Sequence, residues 1–79
     1  MIIKILGAGC RNCDKLEKNI EKFLKESDMR ASIEKVQDLG EITRYGVMGT
    51  PALVVDNKVV STGKVLSVKE IGRILEKYL

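Results

Sequence analysis

Apolar residues fall along this chain in two rhythms. Ile2, Ile3, Ile5 and Leu6 form a short apolar run, interrupted by Lys4 and closed by Gly7, the pattern of a buried central strand. After the Gly7-Ala8-Gly9 loop the period changes. Cys13, Leu16, Ile20, Phe23 and Leu24 recur at three- and four-residue steps, which predicts one face of a helix from about Cys10 to Glu26. Ser27 and Asp28 favour a stop there. From Arg30 to Val36 the pattern returns to alternation, with Ala31 and Ile33 on one face and Ser32 and Glu34 on the other, as in a second strand. Asp38 with Glu41 three residues on is a capping-box pattern. It opens a short helix containing Leu39, Ile42 and Tyr45, which Gly46 ends as a C-cap. Pro51–Val55 reads as a strand, Asp56-Asn57 as a turn and Lys58–Ser61 as the returning strand of a β-hairpin. Gly63 marks a bend. Ser67 and Glu70 form a second capping box, and Val68, Ile71, Ile74, Leu75 and Tyr78 supply the apolar face of a last helix. Gly72 within it is unfavourable by about 1 kcal/mol relative to alanine, which points to close packing, expected against the sheet.

The order is therefore β-α-β-α-β-β-α, an α/β arrangement. Strand–helix alternation in the first half implies a parallel pair with a right-handed crossover. The hairpin adds antiparallel strands, so a four-stranded mixed sheet flanked by helices is expected. At 79 residues the chain supports one domain, 1–79, with one modest core. Aromatics are few, so Ile, Leu and Val must build it.

Charge narrows the function classes. Net charge is +3, from 14 basic and 11 acidic residues, and the signs are interleaved, as along Lys15, Glu17, Lys18, Glu21, Lys22, Lys25 and Glu26 on the solvated face of the first long helix. A nucleic-acid groove wants a one-sided basic stripe with aromatic partners, and neither is present. No segment approaches the ~20 apolar residues that span a bilayer. The opening strand is too short for a signal-peptide core and has no cleavage pattern after it. No nucleic acid, no membrane insertion and a cytoplasmic location are expected, and there a paired Cys motif is more often catalytic or metal-binding than a structural staple.

Cys10-Arg11-Asn12-Cys13 carries the chemistry. It sits after a strand, in a glycine loop, where a helix begins. Unsatisfied backbone N–H groups and the positive end of the helix dipole lie there, and both favour a thiolate at the first cysteine, the reactive species in disulfide exchange. Arg11 adds a positive charge; Asp14 opposes it. The spacing brings the two side chains within bonding reach. Cys10 is expected to be the exposed, attacking thiol. Cys13, one turn deeper beside Leu16 and Ile20, is the sheltered, resolving one. A zinc site normally needs four ligands, and the chain has two cysteines and no histidine, so a metal alternative is confined to a soft ion or metalloid held by two thiolates or a shared dimeric site.

The strand–CxxC–helix start, together with Tyr45-Gly46-Val47-Met48-Gly49-Thr50-Pro51-Ala52-Leu53-Val54-Val55, resembles the thioredoxin superfamily over essentially the whole chain. The short form resembles small archaeal and bacterial thioredoxin-like or glutaredoxin-like redox-active disulfide proteins, which lack the extra N-terminal strand and helix of full thioredoxins. The resemblance implies a cis bond before Pro51, with Pro51 facing Cys10 and Cys13, and a Thr50 backbone that pairs with a bound substrate chain. Arg11 and Asn12 would flank that substrate. It implies a thiol–disulfide oxidoreductase acting on protein or small-thiol disulfides, served by an upstream thiol reductase, with no cofactor beyond the Cys10–Cys13 couple and no metal. A monomer is expected. The chain departs from the family pattern at Gly9, where a Trp is usual, at Arg11-Asn12, where Gly-Pro is usual, and at Lys4, where full thioredoxins carry a buried acid. Proton transfer from Cys13 then falls to water, to Lys4 if it turns inward, or to another group.

Two other readings compete. The segment Gly9–Cys13 also resembles the CxxC of heavy-metal-associated domains, but those run β-α-β-β-α-β and give Thr50-Pro51 no role. A redox-regulated adaptor would use apolar residues near the site, such as Val47 and Met48, to dock a partner.

Overall fold

The computed structural model describes residues 1–8 and 11–78. The elements are β1 (Ile2–Leu6), α1 (Arg11–Ser27), β2 (Ser32–Val36), α2 (Leu39–Arg44), β3 (Ala52–Val55), β4 (Lys58–Thr62) and α3 (Val68–Glu76). They form one four-stranded sheet in the order β2-β1-β3-β4. β1 pairs in parallel with β2 and antiparallel with β3, and β3 pairs antiparallel with β4. The mixed α/β architecture and the element order are those that the hydrophobic pattern predicts.

The sheet has two unequal apolar faces. Ile3 and Ile5 of β1 pair across from Val55 and Leu53 of β3. These four meet Leu16, Ile20 and Leu24 of α1 and Ile71 and Leu75 of α3 in the larger cluster. On the other face Leu6, Val36, Ala52 and Val54 pack with Ile42 of α2. Side chains alternate across a strand, so β1 divides its residues between α1 with α3 on one side and α2 on the other. Complete burial of an aliphatic side chain contributes about 1.5–3 kcal/mol, and Ile3, Ile5, Leu16, Ile20, Leu53, Ile71 and Leu75 are all essentially inaccessible.

Element ends differ from the sequence expectation for local reasons. β2 begins at Ser32 rather than Arg30, because its parallel partner begins at Ile2, opposite Ser32. β3 begins at Ala52, after Pro51, which has no N–H to give a ladder. β4 runs one residue further than expected, to Thr62. α3 ends at Glu76 with Lys77 as its cap, although Tyr78 still packs on the core. The turn between β3 and β4 places Asp56 and Asn57 at φ of 47° and 69°, the left-handed pair of a tight hairpin turn. Asp56 also ties this turn to β1, since its Oδ1 accepts from the Ile2 N–H at 2.8 Å.

Of the two capping boxes, one is complete. Ser67 Oγ accepts from the Glu70 N–H and Glu70 Oε1 from the Ser67 N–H, each at 3.1 Å. At α2 one half forms: Asp38 Oδ2 accepts from the Glu41 N–H at 3.2 Å. Gly46, with φ of 71°, follows the C-cap Tyr45 and ends α2 in the left-handed conformation. Leu39 opens α2 but is 69% exposed, so Ile42 and Tyr45 carry the packing of that helix. Gly72 corrects an expectation. Its close neighbour is not the sheet but α1: a Cβ there would lie 2.8 Å from Cε1 of Phe23, so the missing side chain lets α3 approach α1.

Three variants test this account of the helix starts. Ser67→Ala should lower stability by about 1 kcal/mol in a urea titration, whereas Leu39→Ala, on an exposed side chain, should stay within about 0.5 kcal/mol. The Ser67 N–H and hydroxyl hold the Glu70 carboxyl below its ordinary value of 4.5. A depressed carboxyl pKa contributes stability that is present above the unfolded value and is lost as pH falls through the folded one. Glu70→Gln should therefore flatten the acid limb of the stability–pH curve below about 4.5 and leave its neutral shape alone.

Candidate functional site

The site is built where β1 ends and α1 begins. Cys13 lies in the first turn of α1 and is buried, 6% exposed, in the larger cluster with Ile3, Ile5 and Leu16. Arg11 and Asn12 precede it, both exposed. Cys10 and Gly9 lie outside the described residues, so the pairing of Cys10 with Cys13 does too.

Gly7, the residue that ends the β1 run, brings the parts together. Its N–H donates to the Val36 carbonyl at 3.0 Å, which fixes the chain at the edge of the sheet ladder. A Cβ at this position would collide with Cys13 Sγ, and it would stand 3.7 Å from Thr50 Cβ. Cys13 and Thr50, far apart in sequence, thus both press on the space beside one glycine. Sequence reasoning read Gly7 as a strand boundary and missed this role. The available signal was a glycine directly between an apolar strand and a helix bearing chemistry, which often marks a close backbone approach.

The segment after α2 supplies the second wall. The Thr50–Pro51 peptide bond is cis. Pro51 is fully buried and Thr50 exposed. The Pro51 carbonyl accepts from the Gly63 N–H at 2.9 Å, so the end of β4 backs this loop. Val47 packs into the smaller cluster, while the Met48 side chain is fully exposed.

Charges near the helix start are arranged around Lys35, whose ammonium lies 3.0 Å from Glu17 and 3.8 Å from Asp14. A hydrogen bond to Glu17, with that carboxylate's charge and then Asp14's, raises Lys35 above its ordinary 10.5. Asp14 therefore faces a cation on β2. Lys4 is not placed to serve Cys13. Its register partner is Val54 of the smaller cluster, on the opposite side of the sheet from the cluster that holds Cys13. There its ammonium donates to the Tyr45 hydroxyl at 3.1 Å.

Comparison with known proteins accords with this arrangement. The family described as Thioredoxin domain matches residues 1–76. A thioredoxin of Methanothermobacter thermautotrophicus is 40% identical over 75 residues, covering 95% of this chain and 97% of its own length.

This chain belongs to the thioredoxin domain family.

A thioredoxin of Methanocaldococcus jannaschii is 38% identical over 79 residues, covering 100% of this chain and 91% of its own. The solved structure of a malarial protein superposes with a TM-score of 0.71 at 16% identity, covering 99% of this chain and 96% of that one, and shows that the fold is shared. Thioredoxin-family membership carries a thiol–disulfide oxidoreductase function in general terms. Among the described residues no helix is long and apolar enough to cross a membrane.

The close approach at Gly7 gives a direct test. Gly7→Ala should cost about 1–3 kcal/mol, through forced displacement of Cys13 or the strand end, read as a lower urea midpoint. Ala8→Ser, on the exposed neighbour, should change stability by less than about 0.5 kcal/mol.

Proposed function

We propose that this member of the family exchanges disulfides through a Cys10–Cys13 dithiol couple, with Cys10 attacking and Cys13 resolving. One observation carries the reading: the only cysteine of the chain besides Cys10 is buried at the start of α1, against Gly7 and beside Thr50 of the loop that leads into β3. A sheltered thiol one turn into a helix is suited to resolve a bond made by a thiol at the helix cap, where backbone N–H groups and the helix dipole favour a thiolate.

The reaction balances as two exchanges. The Cys10 thiolate attacks one sulfur of a substrate disulfide. An S–S bond forms to Cys10, the substrate S–S bond breaks, and the first substrate thiolate leaves and takes a proton. The Cys13 thiolate then attacks the Cys10 sulfur. The Cys10–Cys13 disulfide forms and the second substrate thiol is released. Two electrons have passed to the substrate, and an upstream thiol reductase returns them in the same way. Thr50, exposed next to Cys13, offers its backbone to an extended substrate segment, as in strand addition. Pro51 fills the position behind it, and Arg11 and Asn12 border the same opening. The substrates are disulfides of proteins or small thiols, the protein acts as a cytoplasmic monomer, and the couple itself is the only redox group required.

The experiment is a pair of variants assayed by coupled reduction of a protein disulfide. Cys10→Ser should lose turnover by on the order of 10³-fold or more, as expected for removal of a nucleophile. Cys13→Ser should accumulate a mixed disulfide with substrate, visible as an adduct by mass spectrometry under non-reducing conditions. Wild-type turnover in Cys10→Ser would overturn the assignment.

A further inference from the structure

On the face of the sheet away from Cys13, a cleft of about 310 Å³ opens between β1 and α2, lined by Lys4, Glu41, Arg44 and Tyr45. A lysine in the middle of a central strand is an unusual choice where Leu6 and Val54 around it are fully buried, because an apolar residue would pack there without bringing a charge to the edge of the core. Its stem is half-buried and its ammonium emerges into the cleft. It donates to Tyr45 Oη at 3.1 Å and stands 5.9 Å from the centre of that ring. The Tyr45 oxygen accepts from Lys4, which leaves its own O–H free to donate outward. Arg44 precedes Tyr45 and lines the same space. Among the described residues neither Lys4 nor Arg44 has a carboxylate within ion-pair distance; the ion pairs found there all involve Lys35.

Glu34, opposite Lys4 in the sheet register, and Glu41 on the cleft wall are the acids that face this lysine. The Tyr45 hydrogen bond first, and then the charges of Glu34 and Glu41, raise Lys4 above its ordinary 10.5, so it is a full ammonium at neutral pH. The two acids balance the two bases, and the cleft therefore selects by contact geometry rather than by long-range attraction. Three donor-bearing side chains, Lys4, Tyr45 and Arg44, line one concave space together with Glu41. That is the donor set of an oxyanion site, where charge-assisted and bidentate hydrogen bonds fix a carboxylate or phosphate group.

We infer that this cleft binds a small oxyanion, the carboxylate or phosphate group of a ligand, through Lys4 Nζ, Tyr45 Oη and the Arg44 guanidinium. The site stands apart from Cys13, which lies in the cluster on the opposite face. Tyr45 also caps α2 and begins the segment that runs to Thr50, so an occupant would sit against the root of that loop.

NMR titration of the full chain with inorganic phosphate, and separately with acetate, tests this at constant ionic strength with chloride as the balancing anion. The expected result is a saturable shift of the Tyr45 ring and Arg44 side-chain signals with at least one of the two. Saturation by phosphate assigns a phosphate-bearing ligand, and saturation by acetate a carboxylate. Lys4→Met and Arg44→Gln should each weaken that binding about tenfold, the loss of one charge-assisted hydrogen bond. Arg44 is exposed on α2, so its variant keeps the fold even if Lys4→Met disturbs β1. Shifts that rise linearly and spread over other surface cations would overturn the inference, as would saturable shifts of unchanged affinity in Arg44→Gln.

Discussion

The first turn of α1 must sit on the end of β1 at a distance that a β-carbon at Gly7 would not permit. Most of the structure around the site depends on that approach. It sets how deeply Cys13 enters the core, because its sulfur occupies the space where a side chain of residue 7 would stand. It also sets where Thr50 comes to rest, since the same space is bounded by the Thr50 side chain. A larger residue at position 7 would separate the strand end from the helix, and the two walls of the site would part together.

The rest of the fold holds that approach in place. Ile3 and Ile5 fasten β1 to α1 through the larger cluster, and β1 is in turn fixed on both edges by β2 and β3. The Gly7 N–H continues the β1–β2 ladder one residue beyond the strand by bonding to Val36. On the far side of the site, Pro51 is anchored through its carbonyl to Gly63. α3 closes over α1 where Gly72 admits the Phe23 ring, and Asn19 Nδ2 ties α1 to the Leu66 carbonyl just before α3, at 2.8 Å. A central strand, one long helix and one short loop thus meet at a single point, with α1 held by the larger cluster and the loop by the smaller one.

Much of this was legible in the chain itself. The change from a short apolar run to a three-and-four rhythm located β1 and α1, because each period reflects which side chains reach the core. The hairpin was legible because Asp56 and Asn57 accept the left-handed backbone that its turn requires. The pairing of the Cys10–Cys13 motif with the Thr50-Pro51 segment pointed to the right family. What escaped was partnership across the fold. The position of Gly7 between an apolar strand and a helix bearing chemistry hints at a close approach, but a one-dimensional pattern does not say that a sulfur fills the space beside it. The same blindness turned Gly72 toward the sheet rather than Phe23. Lys4 escaped for a related reason: strand alternation says that it opposes Ile3 and Ile5, but not that α2 would present Tyr45 to meet it. The start of β2 depended on where its partner begins, a fact stored elsewhere in the sequence.

The central proposal is that Cys10 and Cys13 form a reversible dithiol–disulfide couple. Its most direct test is the equilibrium of the Cys10–Cys13 pair in glutathione or dithiothreitol buffers of defined ratio, with metals chelated. The account predicts one cooperative two-electron transition, whose midpoint states whether the protein is poised as a reductant or an oxidant. Failure to form an intramolecular disulfide at any buffer ratio would contradict it.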